Sequence, residues 1–426
     1  MLDKTIEKRK LTQRLGGFIY IRVIRPFIIH PLQKTFFWNL LRLIAAIVFE
    51  KCILIYLKIH RKIKNKQSVS KYPNEGKALM IYSKRHFNPD LSTNQIEHSA
   101  SNLARNIYGL LKDSKGEITY LDQKDRKRFS GIGLIVSILS NSFVINCRKN
   151  PNAKKVLFLV NSHPIFKLKR LLKESMRTGI MFSQCEYVSP FIFLKSLLYT
   201  DTYILIGNDF VEKTFLERGI DGDKLYTINS GVNLEKIIPN KSLRSKKIRF
   251  LYSPGYIGLR KGLLVMLDLW DALEEEMQEH IELVIIGQTE KKDLLSRINR
   301  LVTKRKNVKF LGWIESSTRN YAELLQSSHS VILPSLEEGQ VGSVLEAMCA
   351  GCVPIINENC GIGIQDKKEG YIIKDMFNRN EIESYIYEIL TDREKYENMS
   401  MASRMYIETN HNWPQFRENF RNILNK

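Results

Sequence analysis

The sequence predicts an α/β protein of two doubly wound domains, each a parallel sheet wrapped by helices, behind a basic amphipathic N-terminal extension. Three observations lead to this prediction. Short apolar runs alternate with segments of helical periodicity from residue 76 onward, which is typical of parallel sheets. The alternation stops at a polar, lysine-rich stretch at 239–247 and then resumes. A chain of 426 residues is also too long for one ordinary core. We therefore expect an extension at 1–75, domains at 76–240 and 241–400, and a closing helix at 401–426.

The first half of the alternation contains four predicted strands and four predicted helices. Apolar runs predict the strands Ala78–Ser83, Glu117–Leu121, Lys155–Val160 and Thr202–Ile206. Apolar residues at helical spacing predict the helices Glu97–Leu111, Ile132–Val144, Leu168–Met176 and Asp209–Arg218.

The second half repeats the pattern without repeating the sequence. The predicted strands are Ile248–Tyr252, Ile281–Ile286, Val308–Leu311, Val331–Leu333 and Val353–Ile356. The predicted helices are Leu263–Met277, Asp293–Val302, Tyr321–Gln326 and Val344–Cys349. Two such domains facing one another place a ligand cleft at the carboxyl ends of their strands.

Basic charge is concentrated at the N-terminus. The formal net charge is +21, and residues 1–75 hold 16 Lys and Arg against four acidic residues, a balance of +12. A uniformly basic protein would indicate nucleic acid, whereas one basic end flanking apolar residues indicates an anionic membrane surface. We therefore expect an anionic membrane surface as a partner, and no nucleic acid.

The segment Phe36–Leu57 is the membrane candidate in the sequence. Arg42, Glu50 and Lys51 interrupt it, and charges are costly at the centre of a bilayer. Its basic flanks and aromatic start favour a helix in the membrane interface over a membrane span. The alternative is that these apolar residues pack on the protein's own first domain. The polar first 15 residues and six cysteines without framework spacing indicate a cytoplasmic protein, peripheral to the inner face of the plasma membrane.

The segment from Leu333 to Pro354, LPSLEEGQVGSVLEAMCAGCVP, combines glycines and carboxylates between two predicted strands. Gly339 and Gly342 allow the backbone to approach a bound group and present N–H donors. A helix starting near Gly342 suits a phosphate or a polarised hydroxyl. Glu338 precedes that helix and Glu346 lies one turn inside it. Carboxylates accept hydrogen bonds from the paired hydroxyls of a ribose or hexose, so the pair can orient a sugar without a metal.

This segment resembles the signature of family 4 of the retaining glycosyltransferases, which have the GT-B fold. That signature is a Glu, seven residues and a second Glu in a fixed frame. The shared positions are Pro334, Ser335, Glu338, Gly339, Leu345, Glu346, Ala347, Met348, Gly351 and Pro354. The glycine that usually lies two positions after Gly339 is displaced by one, to Gly342.

The resemblance implies a GT-B fold, with two Rossmann-like domains facing a central cleft, and a metal-independent reaction with retention. The first domain would bind the acceptor and the second the nucleotide-sugar. It implies that Glu346 holds the nucleotide ribose. It also implies that Glu338 holds the donor sugar together with the backbone that follows it, at Gly339, Gln340, Val341 and Gly342.

Three further segments are similar to the same family. Gly255 ends the first strand of the second domain, and Lys261 matches a lysine that binds the donor diphosphate in the family. The usual Arg five residues earlier is replaced by Tyr256, and Arg260 is the nearest substitute. A cation there would stabilise a departing nucleoside diphosphate. The segments 228–233 and 410–424 resemble the motif before the interdomain linker and the closing helix.

Histidines and an asparagine follow strands of the first domain. His163 and Asn161 come after Lys155–Val160, where the family often has a cleft histidine, so His163 is a catalytic candidate. The alternative is a loop histidine that caps the next helix. His86, after the first strand, is a second candidate on the acceptor side.

Two metal-like patterns are discounted. Cys349 and Cys352 with Cys360 nearby lack a fourth ligand, and Cys349 falls on a predicted buried helix. The sequence 221–223, Asp-Gly-Asp, occupies a predicted turn. We expect no metal and no cofactor beyond the nucleotide-sugar substrate.

The sequence therefore predicts a membrane-peripheral glycosyltransferase that moves a sugar from a nucleotide-sugar to a saccharide or lipid-linked saccharide, in surface polysaccharide or glycolipid synthesis. Catalytic roles are expected for His163, Glu338 and Lys261. The rivals are a nucleotide-sugar epimerase or phosphorylase of the same fold, and a non-catalytic membrane- or polyanion-binding protein.

Overall fold

A computed structural model describes residues 36–64, 77–87, 89, 99–183, 186, 189–240 and 246–426. The described chain forms two six-stranded sheets in which every paired strand is parallel. The strands of the first sheet are β1 Lys77–Tyr82, β2 Ile118–Asp122, β3 Ile132–Ile138, β4 Lys154–Leu159, β5 Thr202–Ile206 and β6 Leu225–Ile228. Those of the second are β7 Ile248–Tyr256, β8 Ile281–Gln288, β9 Val308–Gly312, β10 Ser330–Leu333, β11 Val353–Ile356 and β12 Tyr371–Ile372.

Helices cover both faces of the two sheets. Those before β7 are α1 Phe36–Lys64, α2 Ser99–Lys115, α3 Asn141–Lys149, α4 Pro164–Thr178, α5 Pro190–Ser196 and α6 Asp209–Leu216. Those after it are α7 Leu263–Ala272, α8 Glu275–His280, α9 Lys292–Lys304, α10 Arg319–Gln326, α11 Gly342–Cys349, α12 Arg379–Thr391, α13 Arg393–Asn410 and α14 Trp413–Asn425. The predicted α/β fold of two doubly wound domains is confirmed.

The strand orders are β2-β1-β3-β4-β5-β6 and β12-β11-β10-β7-β8-β9. The central strands are buried along their whole length because helices cover both faces. This explains why they read as continuous apolar runs. All strands of a sheet are parallel, so their carboxyl ends share one edge, and the loops that follow β4, β7 and β10 meet there.

The prediction of one helix at Ile132–Val144 is wrong. This stretch forms β3, which lies between β1 and β4, followed by α3. The run GLIVSIL is short and apolar, and such a run is ambiguous between a buried strand and a buried helix. The tertiary position decides: Ile135 and Val136 are buried in the centre of the sheet.

The two ends of the described chain pack on the first sheet. Phe416 and Phe420 of α14 return from the second domain to the core of the first, where the Phe420 and Phe158 rings lie 5.2 Å apart. One face of α1 enters the core on the other side of that sheet, through Leu43, Ala46, Phe49 and Ile53. The alternative considered for this segment, packing on the first domain, therefore holds for that face. The rest of the extension, 1–35 and 65–75, lies outside the described residues.

Among the described residues, no helix combines the length and apolarity needed to cross a membrane.

Candidate active site

The centre of the candidate site is formed by two loops at the carboxyl ends of β7 and β10. The first is the 3-10 turn Leu259–Lys261 after β7, and the second is the segment 334–341 after β10, which we call the Glu338 loop. The amide of Leu336 and the hydroxyl of Ser335 both donate to the Arg260 carbonyl, at 2.8 and 3.0 Å. These bonds fix the two loops relative to each other.

Glu338 is held between two cations. Its Oε1 lies 2.6 Å from Lys261 Nζ, and its Oε2 lies 2.6 Å from Arg260 Nη1. Burial lowers the pKa of Lys261, and the Glu338 carboxylate opposes that shift. For Arg260, burial also lowers the pKa, but Glu338, Glu337 and Glu186 together outweigh it and raise the pKa. The structure thus brings together three residues that the sequence placed at a diphosphate and sugar site.

Glu337 is a carboxylate in this cluster that the sequence did not single out. It is completely buried, accepts a 2.7 Å hydrogen bond from Ser162 Oγ, and lies 3.0 Å from Lys167 Nζ. Burial raises the pKa of Glu337, but Lys167 and Arg260 outweigh that effect and hold it below its ordinary value. Ser162 and Lys167 belong to the first domain, so Glu337 joins the two domains. Glu337 and Glu338 are adjacent in sequence, and only the family frame distinguished them.

Glu346 lies one turn inside α11, beside a cavity. Its Oε2 accepts a 2.7 Å hydrogen bond from Tyr321 Oη, and burial raises the pKa of Glu346 to about 7. The cavity has a volume of about 360 Å³. It is lined by Glu346, Gly342, Tyr321, Ser230, Asn233 and Ser99, among others. The site therefore offers a carboxylate acceptor at a pocket between the domains. Tyr321 was not identified from sequence because nothing marks it among other helical tyrosines.

A second, smaller cavity is also lined by Glu346 and Tyr321. It has a volume of about 60 Å³ and includes Gly255, Gly287, Trp313 and Ile314 in its lining. Gly255, predicted from the sequence to line the donor site, therefore lines the same cavity as Glu346.

The glycines of the Glu338 loop make close contacts between the domains. A Cβ on Gly339 would overlap the Val160 carbonyl, and a Cβ on Gly342 would overlap the Ser99 side chain. Both positions therefore require glycine for close approach of the first domain. The amide of Val341 donates to the Cys360 carbonyl at 3.2 Å, so this predicted sugar-binding amide has a partner within the protein.

Gln340 bridges the Glu338 loop to the segment after β6. Its Oε1 accepts from the Ser230 amide at 2.8 Å and from the Ser230 hydroxyl at 2.9 Å. Its Nε2 donates to Asn229 Oδ1 at 2.8 Å. The side chain thus contacts the residues that lead into the interdomain connection.

His163 does not line the cleft, which corrects its prediction as a catalytic residue. Its ring is completely buried, and its Nδ1 accepts from the Ile165 amide at 3.3 Å, so it caps α4. Its Nε2 lies 3.3 Å from Glu50 Oε1 of α1. Burial holds the pKa of His163 well below its usual value. The physical reason is the apolar surroundings: Phe193 and Phe215 pack edge-on against the ring.

The two acceptor-side candidates are placed differently. Asn161 lies in the cleft, where its Oδ1 accepts from Arg260 Nη1 at 3.3 Å. His86 is half-buried in the turn after β1, and the adjoining residues 90–98 lie outside the described part.

Cysteine thiols in the second domain contact backbone carbonyls. Cys349 Sγ lies 3.3 Å from the Ile237 carbonyl, and Cys352 Sγ lies 3.4 Å from that of Leu325. Within the described ranges, no group of three or more His, Cys, Asp or Glu side chains is arranged to hold a metal.

Comparison with known proteins finds a family model that matches part of the chain. Residues 235–405 match the model of glycosyl transferases group 1. Spore coat protein SA of Bacillus subtilis is 24% identical over 249 residues, covering 52% of this chain and 64% of that protein. The chain thus spans less than two thirds of this relative's length.

Three solved structures with a similar fold share less than 25% sequence identity with this chain. HepE of Anabaena, solved in complex with UDP and glucose, has a TM-score of 0.58 at 12% identity, over 82% of this chain and 100% of that chain. The sucrose-phosphate synthase of Thermosynechococcus elongatus has a TM-score of 0.61 at 14% identity, over 82% and 98%. TarM of S. aureus, solved with UDP, has a TM-score of 0.52 at 16% identity, over 69% of this chain and 55% of its own. These likenesses support the GT-B fold.

Proposed function

We propose that this chain, which carries a glycosyl transferases group 1 domain at residues 235–405 on a GT-B fold, is a glycosyltransferase. It would move a sugar from a nucleotide-sugar to a saccharide or lipid-linked saccharide, with retention and without a metal. The observation that carries this proposal is the contact of Glu338 with both Lys261 and Arg260, at 2.6 Å each, on two loops tied to each other.

Electrostatics indicate how this cluster would serve the reaction. Without a ligand, Glu338 is the counter-charge of Lys261 and Arg260. A donor diphosphate brings negative charge that the same two cations can bind, which frees Glu338 to accept from sugar hydroxyls. As the bond to the sugar breaks, charge accumulates on the leaving diphosphate. The two cations would stabilise that charge. Arg260 thereby takes the place of the arginine missing at Tyr256.

The nucleotide would occupy the pockets beside Glu346. The Glu346 carboxylate accepts hydrogen bonds, and the paired hydroxyls of a ribose donate them. HepE and TarM were each solved with UDP, so UDP-sugars are the first donors to test.

The acceptor would approach from the first domain. Asn161 already contacts Arg260 across the cleft, which places a first-domain amide next to the proposed diphosphate site. A similar fold occurs in WaaG, described as a glycosyltransferase of lipopolysaccharide biosynthesis, with a TM-score of 0.55 at 14% identity. A cytoplasmic role in surface polysaccharide or glycolipid assembly is consistent with this likeness.

The deciding experiment is a thermal-unfolding screen of the full chain with UDP-, GDP- and ADP-sugars, followed by sugar transfer assays with and without EDTA. A ligand that binds only the native state raises the unfolding temperature. We expect one nucleotide class to protect the protein, and EDTA to leave turnover unchanged. Lys261→Met should lower kcat by about 10²–10³-fold. The exposed Lys292 provides the matched control, since Lys292→Met should behave as wild type.

Other outcomes would support a rival function. Conversion of the donor's sugar without an acceptor indicates an epimerase, and phosphate-dependent turnover indicates a phosphorylase. Polyanion binding with no saturable nucleotide-sugar site would contradict the proposed enzyme altogether.

A further inference from the structure

We propose that the outward face of α1 docks on an anionic lipid bilayer. This interaction goes beyond the proposed reaction, and its test does not depend on it.

Both long faces of the helix α1 carry apolar side chains. Leu43, Ala46, Phe49 and Ile53 of one face are buried against the first domain. On the opposite face the side chains of Phe37, Ile44, Val48 and Ile55 are 62%, 51%, 59% and 59% exposed. At 3.6 residues per turn these four lie within roughly 40° of one another around the helix axis. The apolar face of a helix is normally covered, and within the described chain nothing covers this one.

The outward face has a fixed orientation because the inward face is locked by charge. Glu50 is buried, and its Oε2 lies 2.6 Å from Arg218 Nη1 of the first domain. Its Oε1 lies 3.3 Å from His163 Nε2. Removing one partner of a buried ionic contact is costly, so α1 is expected to keep this rotation. The outward apolar face of α1 is therefore a constant surface feature of the described protein.

Charge and size favour a bilayer over a protein partner. Between residues 37 and 56 the exposed positions carry five apolar or cysteine side chains and one lysine, Lys51, and no acid. Residues 1–35 add eight Lys and Arg and 57–75 add six. Each basic side chain near an anionic surface strengthens binding. A stable protein interface uses about 20–30 residues on each side, whereas the outward face of α1 exposes only a few side chains.

Docking in this way would set the enzyme's orientation. The helix α1 contacts His163, which caps α4, and Lys167 one turn later reaches Glu337 of the Glu338 loop. A bilayer on the outward face of α1 would therefore lie at a defined position relative to the cleft.

The test is co-sedimentation of the full chain with vesicles that contain phosphatidylglycerol and with vesicles of phosphatidylcholine alone. The wild type should bind the vesicles that contain phosphatidylglycerol, and it should bind the phosphatidylcholine vesicles at least about tenfold more weakly. Ile44→Glu with Val48→Glu should weaken binding by about tenfold or more, because both side chains leave the apolar layer. The matched control is Met401→Glu with Met405→Glu on α13, where the side chains are 54% and 64% exposed. It should bind as wild type.

Three results would overturn the proposal. In the first, the wild type binds neither kind of vesicle. In the second, the variant with Ile44→Glu and Val48→Glu binds as well as the wild type. In the third, the wild type is a dimer and this variant is a monomer. The last would assign the face to a second copy of the chain. Thermal protection by nucleotide-sugar, measured on the same variants, reports on the proposed reaction separately and also shows that the variants are folded.

Discussion

Lys167 Nζ lies 3.0 Å from Glu337 Oε1, and both side chains are almost completely buried. One residue belongs to α4 of the first domain and the other to the Glu338 loop of the second. A buried ion pair thus crosses the cleft directly beside the proposed donor site. Burial lowers the pKa of Lys167, and Glu337 opposes that shift. The carboxylate is further satisfied by Ser162.

The first prediction concerns this pair. Lys167→Met leaves Glu337 buried with fewer partners, and loss of one member of a buried pair costs about 3–5 kcal/mol. Lys167→Met with Glu337→Gln should recover more than half of that loss, because no uncompensated charge remains. A double-mutant cycle in urea measures the coupling. Additive effects would mean that the pair does not hold the domains together.

The second prediction concerns Glu346 and pH. Its pKa is raised by burial to about 7, while Tyr321 donates to it and opposes the shift. Only the ionised carboxylate accepts hydrogen bonds from both ribose hydroxyls. Donor affinity should therefore fall by up to about tenfold per pH unit below pH 7, and level off above it. Calorimetric titration of the donor from acid to mildly alkaline pH measures this.

Glu346→Gln is the control for that profile. The amide does not titrate, so its affinity should be lower than wild type near pH 8 and independent of pH. The same pKa shift has a consequence for folding: between the unfolded value near 4.3 and about 7 the native state binds more protons, so stability falls as pH rises. A wild-type affinity that rises on acidification would contradict the assignment.

The third prediction concerns Gln340. Gln340→Ala removes the acceptor of the Ser230 amide, so amide exchange in 229–233 should accelerate by about fivefold or more, the equivalent of a ~1 kcal/mol hydrogen bond. The KM for the donor should rise with little change in unfolding temperature. Gln278 is another half-buried glutamine, bonded to the Leu273 carbonyl far from the cleft. Gln278→Ala should leave both quantities unchanged, and equal behaviour of the two variants would refute a bridging role.

The fourth prediction separates structure from catalysis at His163. His163→Asn keeps a side chain able to cap α4 but leaves space between Phe193 and Phe215. It should cost about 2–4 kcal/mol of stability. The kcat of the folded enzyme should stay within about threefold of wild type, because the ring does not reach the cleft. A hundredfold loss of kcat with the fold intact would restore the catalytic role that the sequence suggested.

Predicted site residues that are close in the sequence also lie close together in the structure. The Glu338 loop and α11 contain their glycines and carboxylates within a few consecutive residues, and Lys261 follows one strand directly. The strand–loop–helix geometry then brings these groups together with little freedom. Arg260, proposed from the sequence as the substitute for the missing arginine, lies on the same carboxylate as Lys261.

Prediction failed where the outcome depends on neighbours distant in sequence. The stretch Ile132–Val144 is apolar enough for a helix or a strand, and only the open position between β1 and β4 selects the strand. His163 follows a strand that points at the cleft, yet the direction of its ring depends on Phe193, Phe215 and Glu50. Packing of side chains against partners far along the chain is not encoded in any local window.

The sequence by itself determined the class of this protein: two wound sheets, a glycosyltransferase-like Glu338 loop, and a basic, apolar start. The tertiary structure decided what each charged group faces. It paired Glu338 with Arg260 and Lys261, joined Glu337 to Lys167 across the cleft, and turned one face of α1 inward and the other outward. The physical reason is that a sequence sets the spacing of charges along the chain, whereas their partners are chosen by folding, because a buried charge without a partner is costly.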